Sequence, residues 1–524
     1  MEKDFNVTGT CFPHLHYMAD ISAKFNETIK LVNKGQYFAI NRPRQYGKTT
    51  MLRTITRALM QSDEWLVFNI SFEGIDSATG AEVGSFCQAF LEFLAKRMRD
   101  QEESELVAFL EKQSKEVKTL KELSNCITEL VKKANRKTVL LIDEVDKSSN
   151  NQLFLDFLGI LRDKYLNRDA PSDLTFHSVI LAGLYDVKSL KAKIRPDSEA
   201  KYNSPWNIAA DFEVVMELQP NEIVPMLADY AQERDVKMDF PAIAEALFYY
   251  TSGYPFLVSA LCKLMDEKIL PTKSERTWTV LDIETAADKL IRSEISNTNF
   301  DTLIKNLEND AALYNLVYRL VIENELFNFN HHDPLINKGI LHGILRGGDG
   351  LNIQNRIYRE IIVNYMTSKT LTTGQSLYID TAEPYLLANN ALDMRRVLLK
   401  FQELMHLEYS KKDGDFIERH GRLIFLAFLK PILNGKGYAF KEPEISEERR
   451  MDIAVSFCQH KYVVELKMWR GKVAHAKGLK QLGDYMDRQQ LPEGFLVIFE
   501  QTTAKTWKKG WLKVNGKRVF AVWV

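Results

Sequence analysis

Nowhere in the 524 residues does an apolar run approach the ~18 that a membrane span needs. The start, MEKDFNVTGT, has no basic region followed by an apolar one. A cytoplasmic protein with no membrane partner is therefore expected. Cysteine is scarce: Cys11, Cys87, Cys126, Cys262 and Cys458 are scattered with no C-x-x-C pair, which argues against a zinc site and for a reducing compartment. An excess of charge is missing too. With 69 Lys+Arg against 70 Asp+Glu, any surface that binds nucleic acid has to be local. The length exceeds what one hydrophobic core usually serves, so three or more domains are expected.

What is present begins with NRPRQYGKTTM, Asn41 to Met51, between the apolar run Gln36 to Ile40 and a helical run, Leu52 to Met60. Strand, tight loop with Gly-Lys-Thr, then helix surrounds phosphates with backbone N–H groups and the positive end of a helix. ATP is the expected cofactor, held by Arg44, Gln45, Tyr46, Gly47, Lys48, Thr49 and Thr50. Lys48 can reach the β and γ phosphates, and the Thr49 hydroxyl can serve Mg²⁺. The first glycine of G-x-x-x-x-G-K-[ST] is Arg42 here, so the loop by itself also reads as a chance helix start.

A second stretch decides between these readings: KTVLLIDEVD, Lys137 to Asp146. Thr138 to Ile142 suits a strand buried on both faces, and it ends in Asp143 and Glu144 at its carboxyl end, where an α/β sheet binds its ligand. Asp143 is the expected Mg²⁺ holder and Glu144 the general base that orients the attacking water. The plain alternative is a buried strand followed by a solvated acidic turn.

Around these motifs a helix within the first 35 residues closes in a glycine turn and is expected to pack on the nucleotide domain. Further strands are expected at Trp65 to Phe72, Phe176 to Gly183 and Pro205 to Met226, the last leading into a helix start near Asn221. Val83 to Ala134 reads as two long amphipathic helices, and Gln152 to Tyr165 as another. Tyr185 and Asp186 are the candidates to sense the γ-phosphate, with ordinary turn residues as the plain alternative. Arg195 is the candidate arginine finger, supplied by a neighbouring copy in a homo-oligomer, with a solvated loop arginine as the plain alternative. TSGYPF, Thr251 to Phe256, opens an apolar helix and resembles the helical lid of archaeal-type ATPases. Pro334 to Met366 alternates around Arg-Gly-Gly-Asp-Gly, a hairpin signal. Helices followed by a hairpin point to a winged helix, which either binds DNA or packs against the lid. The polar run Ser368 to Gln375 marks a boundary. The expected division is an ATPase domain over 1–220, a lid and winged-helix region over 221–367, and a third domain over 368–524.

The third domain holds a second group of acids. A helix over Asp415 to Leu433 carries Glu418 near its start, and strands are expected at Tyr438 to Glu442, Met451 to Phe457, Lys461 to Lys467 and Phe495 to Phe499. Asp452 and Glu465 fall on adjacent strands of a hairpin, where two carboxylates and the main-chain carbonyl of Leu466 make an oxygen set suited to Mg²⁺. Glu465 and Lys467, two apart on a strand, share a face. The metal would activate a water, with the lysine placing or deprotonating it and stabilising charge on a phosphodiester. The plain alternative is an exposed salt bridge. Gln481 and Tyr485, four apart, share a helix face.

This order of helix acid, Asp hairpin, ELK and Q-x-x-x-Y resembles the PD-(D/E)XK nucleases. Glu418, Asp452, Glu465, Lys467, Gln481 and Tyr485 match that pattern. Taken with INRPRQYGKTTML, VLLIDEVD, SVILAGLYDVKSL and TSGYPF, the chain resembles a family of bacterial ATP-binding proteins that join an AAA-like ATPase region to such a nuclease domain; Arg42 in the loop is usual there. The resemblance implies an α/β P-loop NTPase parallel sheet of the ASCE/AAA-like kind, a helical lid with a winged helix, and a C-terminal α/β restriction-endonuclease-like domain. It also implies nucleic acid, DNA first, as the partner. The other class of reading is a slow nucleotide switch whose nuclease fold only binds or assembles.

Overall fold

The computed structural model describes residues 2–524 apart from 75–78, 80, 81, 146–151, 184–205, 207, 292–297, 322–324, 349, 374–384, 409–420, 422, 423, 427, 430, 431, 434–436, 441–452, 459, 469–478, 481, 488 and 501–506. The chain forms two compact units. One comprises Met1–Leu290 with Asn330–Gly347 and Ile353–Ile357, the other Ile291–Phe329 with Gly348–Asn352 and Tyr358–Val524. Among the described residues no helix is long and apolar enough to cross a membrane.

In the first unit the apolar runs become four parallel strands, β1 (Tyr37–Asn41), β2 (Trp65–Ser71), β3 (Lys137–Asp143) and β4 (Ser178–Gly183), in the order β1-β4-β3-β2. All of β4, and all of β3 except Lys137, is buried, as a sheet covered on both faces requires. With β4 inserted between β1 and β3, Asn41 pairs with Gly183 while Asp143 ends the neighbouring strand, so all three leave the sheet at one edge. Helix Ser22–Asn33 packs beside this sheet as expected, and its buried Lys24 pairs with the buried Glu222.

Two expectations need correction. Of the fifth strand, the described residues show a single parallel bridge, Phe38 with Ala210. Beyond it the Val214 carbonyl accepts from Arg42 and the Leu218 N–H donates to the Gly253 carbonyl, so among the described residues no ladder continues. The stretch Val83 to Ala134 holds three helices, Val83–Arg99, Ser104–Glu116 and Leu120–Ala134. Glu102 turns left-handed after the first, and Thr119 with Glu122 forms a capping box that restarts the chain. Their apolar faces close over Phe68, Phe154 and Phe157 in the main core.

The turn expected at TSGYPF is formed. Phe240–Thr251 ends in Ser252 and Gly253, both left-handed, and Pro255 opens Pro255–Leu264. Gly253 is required sterically as well, since a Cβ there would lie 2.2 Å from the Leu218 carbonyl oxygen. Gly253→Ala is expected to cost on the order of 2–4 kcal/mol and to lower the thermal midpoint by several degrees. A midpoint equal to that of the wild type contradicts this reading of the turn. Further along, helix Pro334–Leu341, the short hairpin β5 (Leu345–Arg346) with β6 (Asn352–Ile353), and helix Arg356–Thr373 follow in the expected order.

The second unit carries a six-stranded sheet: β7 (Gly437–Phe440), β8 (Ile453–Phe457), β9 (His460–Met468), β10 (Glu493–Phe499), β11 (Lys509–Val514) and β12 (Lys517–Trp523), in the order β11-β12-β10-β9-β8-β7. The first three are antiparallel neighbours, β10 runs parallel to both β9 and β12, and β11 closes the far edge antiparallel to β12. The helix at 482–487 packs Leu482, Tyr485 and Met486 on one face of the sheet. Helix Met394–Glu408 holds β12 from the Gln402 side chain, which donates to the Lys508 and Trp523 carbonyls at 3.0 and 2.8 Å.

Candidate functional site

The loop after β1 ends at Gly47, whose left-handed backbone (φ 79°) sets the start of helix Lys48–Leu59. No side chain caps that helix, so its first N–H groups face the loop and leave an anion-binding end. The Lys48 ammonium folds back onto the Arg42 and Pro43 carbonyls, at 2.8 Å each. The arginine in place of the first glycine turns away from the loop: its guanidinium donates to the Val214 carbonyl at 2.9 Å and lies over the Phe212 ring. A side chain at this position is thereby accommodated without filling the cradle.

Ninety-four positions along the chain, the end of β3 meets this helix. The Thr49 hydroxyl donates to Asp143 Oδ2 at 2.5 Å, and Asp143 Oδ1 accepts the Glu144 N–H at 3.0 Å. Asp143 is buried, and Glu144 is left-handed (φ 55°) just beyond the sheet. A threonine hydroxyl and a carboxylate brought together at a helix start are hard oxygen donors, which fit Mg²⁺. Thr50 has another engagement: its hydroxyl accepts the Cys11 N–H at 3.2 Å, tying the N-terminal segment to the loop helix. Tyr185, Asp186 and Arg195 lie outside the described residues.

The residues that grip the loop from elsewhere in this unit carry no local signal in the sequence. The Tyr254 hydroxyl donates to the Arg44 carbonyl at 2.6 Å, and the ring of Tyr254 packs on that of Tyr46. Tyr46, 2% exposed, accepts from Gln354 Nε2 at 2.6 Å. Burial, then the neighbouring Glu217 carboxylate, pushes the Tyr46 hydroxyl well above the usual phenol range and keeps it neutral. Gly343, left-handed, leaves so little room that a Cβ would come within 2.9 Å of Pro43. TSGYPF is visible as a turn, but nothing near it says that its tyrosine reaches a loop 210 positions away. Gln45 and Arg44 themselves are exposed. Gln354→Ala and Tyr254→Phe each remove one loop contact and should weaken binding of an ATP analogue by roughly three- to tenfold. Titrations with unchanged affinity would mean that the loop keeps its shape without them.

The second unit has its own buried charge. Glu465 on β9 is 0% exposed, and the Lys467 ammonium, on the same strand face, reaches its Oε1 at 2.6 Å. A carboxylate removed from water needs such a cation, so this pair is no solvated surface bridge. Leu466 pairs with Val497 in the β9–β10 ladder. The β8–β9 hairpin expected from the sequence is formed, with Ile453 opposite Val464, one position before Glu465. Tyr485 is buried in the core beneath the sheet. Asp452, Glu418 and Gln481 lie outside the described residues.

With this geometry in place, residues 16–334 match the family model described as AAA-like domain. The chain belongs to the AAA-like domain family. No curated protein matches it. Among solved structures, the AAA-like chain is similar to the Walker-type ATPase PABY2304 of Pyrococcus abyssi, at 12% identity and a TM-score of 0.46, over 68% of this chain and 99% of that one. The ORC2 protein of Aeropyrum pernix is similar at 10% identity and a TM-score of 0.38, over 67% of this chain and 93% of that one. RuvB of Thermotoga maritima, the Holliday junction branch migration motor, is similar at 15% identity and 0.34, over 65% and 93%. The AAA-like match covers the loop, β3, β4 and the turn at Thr251 to Phe256, and stops before the hairpin β5–β6 and the second unit's large sheet.

Proposed function

We propose that this AAA-like protein binds and hydrolyses ATP in its first unit and that its nucleotide state governs a Mg²⁺-dependent nuclease centre, acting on DNA, in its second. The observation that carries the nucleotide half is the 2.5 Å contact between Thr49 and Asp143, which brings a loop and a strand end, read separately from sequence, onto one point. Lys48 holds two carbonyl acceptors that phosphate oxygens can replace. Glu144, fixed by its N–H to Asp143, stands next to that point as the base that orients water. Mg²⁺, when bound, would neutralise charge across the β and γ phosphates at Thr49 and Asp143, and at Asp452, Glu465 and the Leu466 carbonyl it would activate water. Everything else falls to the side chains: Lys48 positions the phosphates, and Lys467 holds Glu465 and stabilises charge on the phosphodiester.

The hairpin β5–β6 is read as part of a winged helix, and Tyr485 with Gln481 as residues that orient the nuclease centre. The test is incubation of purified protein with linear, circular and single-stranded DNA and with RNA, with and without ATP and Mg²⁺. Metal-dependent cleavage that changes with nucleotide supports the proposal. Nucleotide hydrolysis with no cleavage under any metal condition leaves a switch whose second unit only binds or assembles.

A further inference from the structure

The neutral total charge hides a local excess. After Glu500 the chain has no acidic residue, while Lys505, Lys508, Lys509, Lys513, Lys517 and Arg518 follow; the rest of the chain is therefore net acidic. Most of these cations fall on the hairpin β11–β12. Its turn is Asn515-Gly516, both left-handed as a two-residue hairpin requires. Among the described residues β11 pairs with β12 alone, so it is an outer edge of the sheet.

Alternation along β11 separates its two faces. Leu512 and Val514 join the core with Leu482 and Met486, while Lys509, Trp511 and Lys513 lie on the other face and are exposed, Trp511 to 41%. Two residues of strand advance about 6.8 Å, so lysine, indole and lysine stand in one row about 14 Å long. The indole is held in place by its neighbours, with the Arg518 guanidinium 4.6 Å from the ring centre and the Phe520 ring meeting it edge-on. Arg518 is paired with Glu493. Lys508, Lys509 and Lys513 have no acidic partner among the described residues.

Lysines on an edge strand have a bland purpose, since they discourage pairing with another sheet. Such a guard has no use for a large exposed indole in the same row, because exposed aromatic surface invites association. Cations alternating with an aromatic face are what an unstacked nucleic-acid strand binds: ammonium groups meet its phosphates and the ring meets a base. In a duplex the bases are already stacked on one another and offer no free face. We propose that the β11–β12 edge is a binding surface for single-stranded nucleic acid, with Lys509 and Lys513 on phosphates and a base stacked on Trp511. It rests on the nucleic-acid reading of the second unit and names the surface and the strand form.

The test uses the full chain in EDTA, which suppresses cleavage, with fluorescence anisotropy of a labelled oligothymidylate over a range of salt. Lys509→Gln with Lys513→Gln should weaken binding roughly tenfold or more and flatten the plot of log affinity against log salt by about 1.4, the loss of two phosphate contacts. Trp511→Ala should weaken binding about tenfold with little change in that slope, because stacking releases no counterions. All variants should keep the wild type's circular-dichroism spectrum and thermal unfolding profile, which checks the folding of the unit that carries them. If the wild type binds the oligonucleotide and both edge variants match it, the surface is wrong while the nucleic-acid reading stands. If the wild type binds no nucleic acid, both fall. Competition by unlabelled duplex, or by polyglutamate, as strong as that of unlabelled single strand would overturn the strand assignment.

Discussion

Glu465→Ala is expected to abolish Mg²⁺-dependent DNA cleavage, a loss of roughly 10³-fold or more, while ATP hydrolysis stays measurable. Glu465 has no exposure to water and is held by Lys467 at 2.6 Å, so it sits in the one environment of β9 where a carboxylate is tolerated only beside a cation. Lys467 keeps its own access to solvent, and its loss of a partner on Glu465→Ala is therefore bearable for the fold. Glu465→Gln, which keeps the shape, should be equally inactive, separating chemistry from packing. Asp452→Ala should match it, Lys467→Ala should reduce turnover more than metal affinity, and changes at Gln481 or Tyr485 should do less. Cleavage followed on gels beside phosphate release reads both activities. A Glu465→Ala protein that cuts at the wild-type rate removes Glu465 from the chemistry.

Glu144→Gln should lower ATP turnover by about 10²-fold or more, the worth of a positioned general base, with nucleotide affinity little changed. Binding and hydrolysis separate here because they use different atoms. In the proposed site Lys48 and the helix N-terminus would cradle the phosphates, whereas Glu144 is placed by β3 through the contact of its N–H with Asp143. Equal steady-state rates for the variant and the wild type would transfer the role of base to another residue.

How much of this is legible in the sequence depends on whether the signal is local. Asn41 to Met51 and Lys137 to Asp146 each carry strand, loop and charge within about ten residues, so the residues alone announce the sheet edge and the proximity of Thr49 to Asp143. The β8–β9 hairpin with Glu465 is legible for the same reason. The fifth strand is not, because its backbone groups are taken by Arg42 and by Gly253, partners far along the chain. The clamp of Tyr254 and Gln354 on the loop joins positions 210 and 308 residues apart, and no periodicity encodes that. The hairpin β11–β12 is a different case: Asn515-Gly516 between alternating runs announces it locally, yet the stretch holds no acid that would mark it as chemical. Glu418 and Asp452 rest on the sequence pattern alone.

Whether the loop from Arg42 to Thr49 is a nucleotide site is decided by titrating a fluorescent ATP analogue with Mg²⁺ into the wild type and Lys48→Ala. Lys48 donates to two carbonyls of its own loop, and a thermal midpoint for Lys48→Ala like that of the wild type checks that the fold is kept. Saturable binding is expected for the wild type, with a loss of about a hundredfold or more in the variant, in keeping with charge-assisted bonds to phosphate. Equal affinity in the two proteins would contradict a phosphate-binding role for this loop.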